Sequence, residues 1–156
     1  MERTALKLIA TFILCVFSST SVAAGVTTED ITATNFMVSA TSGGQMDSAA
    51  YMHLENDCRC QDHALIAAYS PIADTVELHT HFKEDGVLKM RRIDEITIEA
   101  NSVVVLQPGG PHVMLIGLKQ AINVGDSVPL KLEFDDGNTI ELIAPVRKIA
   151  MDDPSA

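Results

Sequence analysis

The chain has 156 residues, which is enough for one domain with a substantial core and too few for two ordinary domains. Asp and Glu number 21 against 11 for Lys and Arg, so the formal net charge is −10. This acidic balance excludes nucleic acid and anionic lipid as expected partners, because both require a basic patch. Three cysteines are too few for a disulfide-stabilised scaffold, and the fold must therefore depend on its hydrophobic core.

Residues 1–24 have the pattern of a secretory signal peptide. Two basic residues precede an apolar run over 8–17, and small residues follow as far as Ala24. The run is shorter than the about 20 apolar residues that a membrane-spanning helix needs. We therefore expect export to the periplasm, cleavage after Ala23 or Ala24, and no membrane span in the mature protein. Cys15 lies inside the apolar run, so we expect it to be removed with the signal peptide.

Short alternating segments separated by turn residues predict an all-β domain over residues 25–150. Ten segments have the length and alternation of strands, namely 31–40, 49–56, 63–70, 74–82, 87–93, 95–100, 102–107, 112–118, 127–134 and 138–146. This spacing is typical of an antiparallel Greek-key β-sandwich. Residues 151–156 form a short polar tail.

The segments 74–82 and 87–93 flank an Asp-Gly pair, which is a strong hairpin signal. A two-residue loop would set Met90 opposite His81 and diagonal to His79, whereas a four-residue loop would set Met90 opposite His79. Either even loop places these three side chains on one face of the sheet. An odd loop would separate them, and the sequence leaves this choice open.

The stretch "GGPHVMLIGL" at 109–118 begins a strand with two soft donors after a Pro/Gly turn. His112 and Met114 are two residues apart, so their side chains leave the same face of the strand. Val113 and Leu115 alternate with them and are predicted to face the core. A single Met is usually core filler and a lone His is usually a surface residue, so neither indicates a metal site by itself; the joint spacing of His79, Met90, His112 and Met114 does.

His79, Met90, His112 and Met114 together form a set of two imidazoles and two thioethers. Thioether sulfur is a weak ligand for hard cations and suits Cu(I), while imidazole suits copper generally. Because all four groups are neutral, the set favours the monovalent ion and permits its release to a thiolate site. We expect Cu(I) as the bound ion, and the sequence leaves Cu(II) open.

The spacing of these residues matches the signature H-x10-M-x21-H-x-M, and the chain resembles the periplasmic copper A chaperone family, often written PCu(A)C. The surrounding text "EDGVLKMR", "PGGPHVMLIGLK" and "GDSVPLKLEFDDG" is similar too, and the similarity covers about 52–146. The resemblance implies a cupredoxin-like sandwich. It also implies four copper ligands, which by position are His79, Met90, His112 and Met114.

Further expectations follow from this resemblance. Members of the family supply copper for assembly of the CuA centre of cytochrome c oxidase, so the implied partners are oxidase subunit II, a Sco-type copper protein, or both. We expect a monomeric carrier rather than an enzyme. His81 lies at no position of the signature. The tail retains only Met151 as a soft donor, which makes a second copper site there doubtful.

The loop "DCRCQDH" at 57–63 carries an alternative hypothesis. Cys58 and Cys60, with His63, could bind copper or exchange disulfides, whereas an idle oxidised pair is the simpler interpretation. A general role in periplasmic copper binding and tolerance is another alternative. No cysteine follows Cys60, so the thiolate of a blue-copper site is missing.

Overall fold

The structure is a computed structural model that describes residues 25–149, and this part of the chain contains eleven strands and no helix. The predicted signal peptide and polar tail lie outside the described residues. The strands are β1 (Val26–Thr27), β2 (Ile31–Ser39), β3 (Ser48–Asn56), β4 (His63–Tyr69), β5 (Ala73–Glu84), β6 (Val87–Ile93), β7 (Ile96–Ile98), β8 (Ser102–Leu106), β9 (His112–Leu118), β10 (Ser127–Phe134) and β11 (Thr139–Arg147).

The strands form two packed layers. One has the order β6-β5-β9-β3-β2, with β1 added at β2 and β8 at β3, and the other has the order β11-β10-β4-β7. This confirms the predicted all-β sandwich, with one correction to its antiparallel character. The end of β11 pairs parallel with β2, through Val146↔Val38 and Arg147↔Ser39, and thereby joins the two layers. No helix in the described part of the chain has the length and apolar character needed to cross a membrane.

The core lies between the two layers and is built by the two-residue period of the strands. In β10 the buried residues Val128, Leu130, Leu132 and Phe134 alternate with more exposed ones, and β11 repeats the pattern. Full burial of such side chains contributes about 1.5–3 kcal/mol each. This core gives β5 and β9 a rigid inner face, so their outer face can be used for a site.

The β5–β6 hairpin closes through a two-residue loop. Asp85 and Gly86 have φ values of 51° and 82°, which is the left-handed backbone that two-residue hairpin turns require. The register pairs Glu84 with Val87 and His81 with Met90. The first of the two even-loop arrangements predicted from the sequence is therefore the one adopted.

A tight turn leads from β8 into β9. The Gly110 amide donates a hydrogen bond to the Gln107 carbonyl at 3.0 Å, with Pro108 and Gly109 between them. Gly109 has φ of 80°, the conformation that a type II turn needs after a proline. The turn delivers the chain to His112 at the first position of β9.

Candidate metal centre

Three imidazole rings lie together on the outer face of β5 and β9. His79 is paired directly with His112, while the neighbouring pair Leu78 and Val113 is buried in the core. The ring centroids of His79 and His112 are 6.0 Å apart, and those of His81 and His112 are 5.2 Å apart. The predicted histidine ligands therefore meet across two strands that are distant in sequence.

The ring of His112 is held in one tautomer. Its Nδ1–H donates to the Gly110 carbonyl at 2.9 Å, which leaves Nε2 with a free lone pair. Burial lowers the pKa of His112; the Gly110 hydrogen bond opposes this, and the neighbouring His81 and His79 add to the lowering. Tyr51 of β3 lies beside this ring, with the centroids 6.1 Å apart. The lowered pKa of His112 favours its neutral ring, which is the form that binds a metal.

The ring of His79 is oriented by a carboxylate that the sequence analysis did not identify. Its Nε2–H donates to Glu77 Oε2 at 2.8 Å, so Nδ1 is the nitrogen left to bind an ion. That hydrogen bond lowers the pKa of Glu77, with a further contribution from the charge of Arg92. The Arg92 Nη1 atom lies 3.5 Å from Glu77 Oε1. The only signal in the sequence was the spacing of two residues, which puts Glu77 and His79 on one face.

The two methionines lie on the same face as the rings. Met114 is two residues after His112 and is paired with Glu77 of β5 and with Ala49 of β3. Met90 lies on the edge strand β6, where it is paired with His81 of β5, and it is 46% exposed. Met90 therefore lies on the solvent side of the site, where an ion can enter and leave.

The loop cysteines and His63 are separate from this face. Cys58 and Cys60 form a disulfide, so neither offers a thiolate. The buried His63 ring faces the turn between β10 and β11, with Nδ1 3.4 Å from Asp135 Oδ1 and 3.5 Å from Asp136 Oδ2. The alternative in which both cysteines and His63 bind copper together is not supported by this oxidised arrangement. The disulfide fits both an idle oxidised pair and a pair that exchanges disulfides.

Acidification below about pH 6.5 is expected to destabilise the apo protein, because the fold favours the neutral ring of His112. The unfolded chain takes up this proton at its ordinary pKa. The stabilisation is therefore complete above that pKa and is lost as the pH falls toward the lower folded-state pKa. One such proton changes the unfolding free energy by about 1.4 kcal/mol per pH unit.

Urea unfolding of the wild-type protein and His112→Gln at about pH 7.5 and about pH 5.5 measures this effect. The advantage of the wild-type protein should shrink at the lower pH. A difference between the two proteins that is the same at both pH values would contradict the prediction.

The fold and the donors define the class of protein as a cupredoxin-like domain with imidazoles and thioethers gathered on one outer sheet face. The family profile described as "Putative lipoprotein LpqE-like" matches residues 31–146. The chain belongs to this family, and the resemblance to the PCu(A)C proteins is confirmed by the solved structures described below.

Two relatives match over part of their length. "Putative lipoprotein Lxx21020" from Leifsonia xyli subsp. xyli is 33% identical over 84 residues, which cover 53% of this chain and 51% of that protein. "Uncharacterized protein RP573" from Rickettsia prowazekii is 33% identical over 113 residues, which cover 72% of this chain and 60% of that protein. The matched region therefore spans about half of the first relative and three-fifths of the second.

Solved structures share the fold. The Cu(I)-bound form of DR1885 from Deinococcus radiodurans is 36% identical, with a TM-score of 0.62 over 74% of this chain and 76% of that one. The copper-bound PCuAC domain of PmoF2 is 22% identical, with a TM-score of 0.68 over 81% of this chain and 99% of that one. At 22% identity, the likeness to the PmoF2 domain shows a shared fold and nothing more. Together they confirm the predicted cupredoxin-like sandwich.

Proposed function

We propose that this protein is an exported carrier of Cu(I), which it binds through His79, Met90, His112 and Met114. The observation that carries the proposal is the convergence of these residues on one sheet face. His79 and His112 are directly paired there, and each uses one ring nitrogen for a protein hydrogen bond. The other nitrogen of each ring remains for the ion.

The donor set suits a carrier rather than a catalyst. Two thioethers favour Cu(I) over harder ions, and two neutral imidazoles complete the coordination without adding charge. Binding without ligand charge leaves the ion transferable to a site that offers thiolates. The exposure of Met90 supports this role, because an acceptor protein can reach that proposed ligand.

The relatives support both copper and export. DR1885, at 36% identity, has a structure in its Cu(I) form, and one sequence relative is named a lipoprotein, which is an exported class. Export to the periplasm through the signal peptide at 1–24 is part of the proposal. Cu(I) is the principal ion.

The first test is a Cu(I) competition titration of the mature protein against a chelator of known affinity. We expect one tightly bound Cu(I) per chain. Cys58→Ser/Cys60→Ser should bind the same amount with the same affinity, because the disulfide lies in the loop between β3 and β4 and not on β5, β6 or β9. Loss of tight binding in this double variant would move the site to the loop and sink the assignment.

We assign the copper to assembly of the CuA centre of cytochrome c oxidase, either directly to subunit II or through a Sco-type copper protein. Mixing the Cu(I)-loaded protein with each apo acceptor should transfer the ion. Retention of copper in the presence of both acceptors would favour the alternative, a general periplasmic protein for copper binding and tolerance. Disulfide exchange by Cys58 and Cys60 without copper transfer would favour a thiol-disulfide redox protein.

A further inference from the structure

We propose that His81 is an additional copper ligand, bonding through Nδ1, and that it provides a third imidazole when the site holds Cu(II). The proposal rests on the proposed function, because it concerns the same site. His81 lies outside the four-residue signature, and nothing in that spacing assigns it a role.

The strand register places His81 inside the site. It follows His79 by two residues on β5, so both rings leave the outer face. It is paired across the hairpin with Met90, one of the proposed ligands. Its ring centroid is 5.2 Å from that of His112, closer than the 6.0 Å between His79 and His112. His81 therefore lies closer to His112 than His79, a residue of the signature, does.

The unpartnered nitrogens of the fold point to the same two rings. Within residues 25–149, the buried side-chain nitrogen and oxygen atoms without a hydrogen-bond partner are Nδ1 of His79 and Nδ1 of His81. A buried polar atom without a partner is unfavourable and uncommon in native folds. Both atoms belong to the imidazole cluster. The nitrogens of the three rings do not all lie within 4.8 Å of one another in this arrangement, so one ion would join them only after a ring rotates. This places His81 in the same situation as His79.

The donor chemistry explains what a third imidazole adds. Cu(II) prefers nitrogen and oxygen ligands in a tetragonal arrangement, and thioethers serve it poorly. Nδ1 of His79, Nδ1 of His81 and Nε2 of His112 form a nitrogen set for Cu(II). The two thioethers with His79 and His112 form the set for Cu(I). Each ion is bound as supplied, so the site needs no electron transfer to hold either one.

The experiment compares His81→Phe, which keeps an aromatic ring beside His112, with the matched control His53→Phe. His53 is a hydrogen-bond partner of Asn35 at 3.2 Å and faces no proposed ligand across its strand. Pulsed electron paramagnetic resonance counts the imidazoles that bind Cu(II). We expect three in the wild-type protein and in His53→Phe, and two in His81→Phe. Cu(II) affinity should fall by at least about tenfold in His81→Phe, while its one Cu(I) remains.

The wild-type count alone tests the proposal, even if His81→Phe does not fold. Two imidazoles in the wild-type protein would overturn it, as would an unchanged count and Cu(II) affinity in His81→Phe. If the wild-type protein binds no Cu(I), the proposed function fails, and the assignment of His81 fails with it. Cu(I) binding with a two-imidazole Cu(II) site overturns the role of His81 alone.

Discussion

Replacing Met114 with leucine is expected to lower the Cu(I) affinity by more than about 100-fold. Loss of a residue that only hydrogen-bonds to a metal ligand already lowers metal affinity by about 10–100-fold, and loss of a ligand should cost more. The substitution removes the sulfur donor and nearly preserves the side-chain volume. Such swaps usually change the unfolding free energy by less than about 1.5 kcal/mol. The Cu(I) affinity should therefore fall while the unfolding free energy of the apo protein changes little. Chelator competition measures the first and urea unfolding the second.

Met90→Leu should behave in the same way, because Met90 is the second proposed thioether ligand. Met52→Leu and Met37→Leu are the controls. Met52 is buried in the core, and Met37 of β2 is paired with Tyr51 of β3. Neither methionine belongs to the signature. Both controls should bind Cu(I) like the wild-type protein. If Met90→Leu and Met114→Leu both bind Cu(I) with wild-type affinity, the proposal that this protein carries Cu(I) through methionine and histidine ligands is wrong.

Replacing Glu77 with leucine is expected to weaken Cu(I) binding by about 10–100-fold, although Glu77 is not a proposed ligand. Its carboxylate accepts the hydrogen bond from Nε2 of His79, which fixes the tautomer and the ring orientation. Without that acceptor the proton is free to move to Nδ1, and the ring can turn. Nitrogen NMR of the apo protein should show His79 losing its single tautomer, and chelator competition should show the weaker binding.

Glu77→Gln separates the hydrogen bond from the charge. The glutamine oxygen still accepts from Nε2 of His79, while the negative charge and the ion pair with Arg92 are lost. We expect an affinity between those of the wild-type protein and Glu77→Leu, with the His79 tautomer kept. Equal Cu(I) affinity in all three proteins would show that Glu77 does not position His79.

The strands of this protein were predictable because a sandwich buries one face of each strand. Apolar residues therefore recur at every second position in segments such as 127–134, where buried and more exposed side chains alternate. Each of the ten predicted segments overlaps a strand and differs from it by at most two residues at either end, and 95–100 is thereby reduced to the three residues of β7. The two residues of β1 escaped prediction because so short a strand carries no period.

The candidate ligands could be named from the sequence because their spacing along the chain is specific, and their role as ligands stays a prediction. His112 and Met114 share a face by local geometry alone, and the spacing to His79 and Met90 matched a known signature. The Asp-Gly hairpin left two possible partners for Met90 on the neighbouring strand, His81 and His79. Choosing between them required the backbone of Asp85 and Gly86, since both even loops fit the sequence equally well.

The sequence by itself determined the sandwich and ten of the eleven described strands, because strand period is a local property of the chain. The four candidate ligands came from the match to a known signature, and they stay a prediction. Only the tertiary structure decided which nitrogens are free, because the hydrogen bonds of His79 and His112 depend on side-chain and turn geometry. It also decided the parallel pairing of β11 with β2 and the closeness of His81 to His112. These contacts join residues far apart in the chain, and no local pattern encodes them.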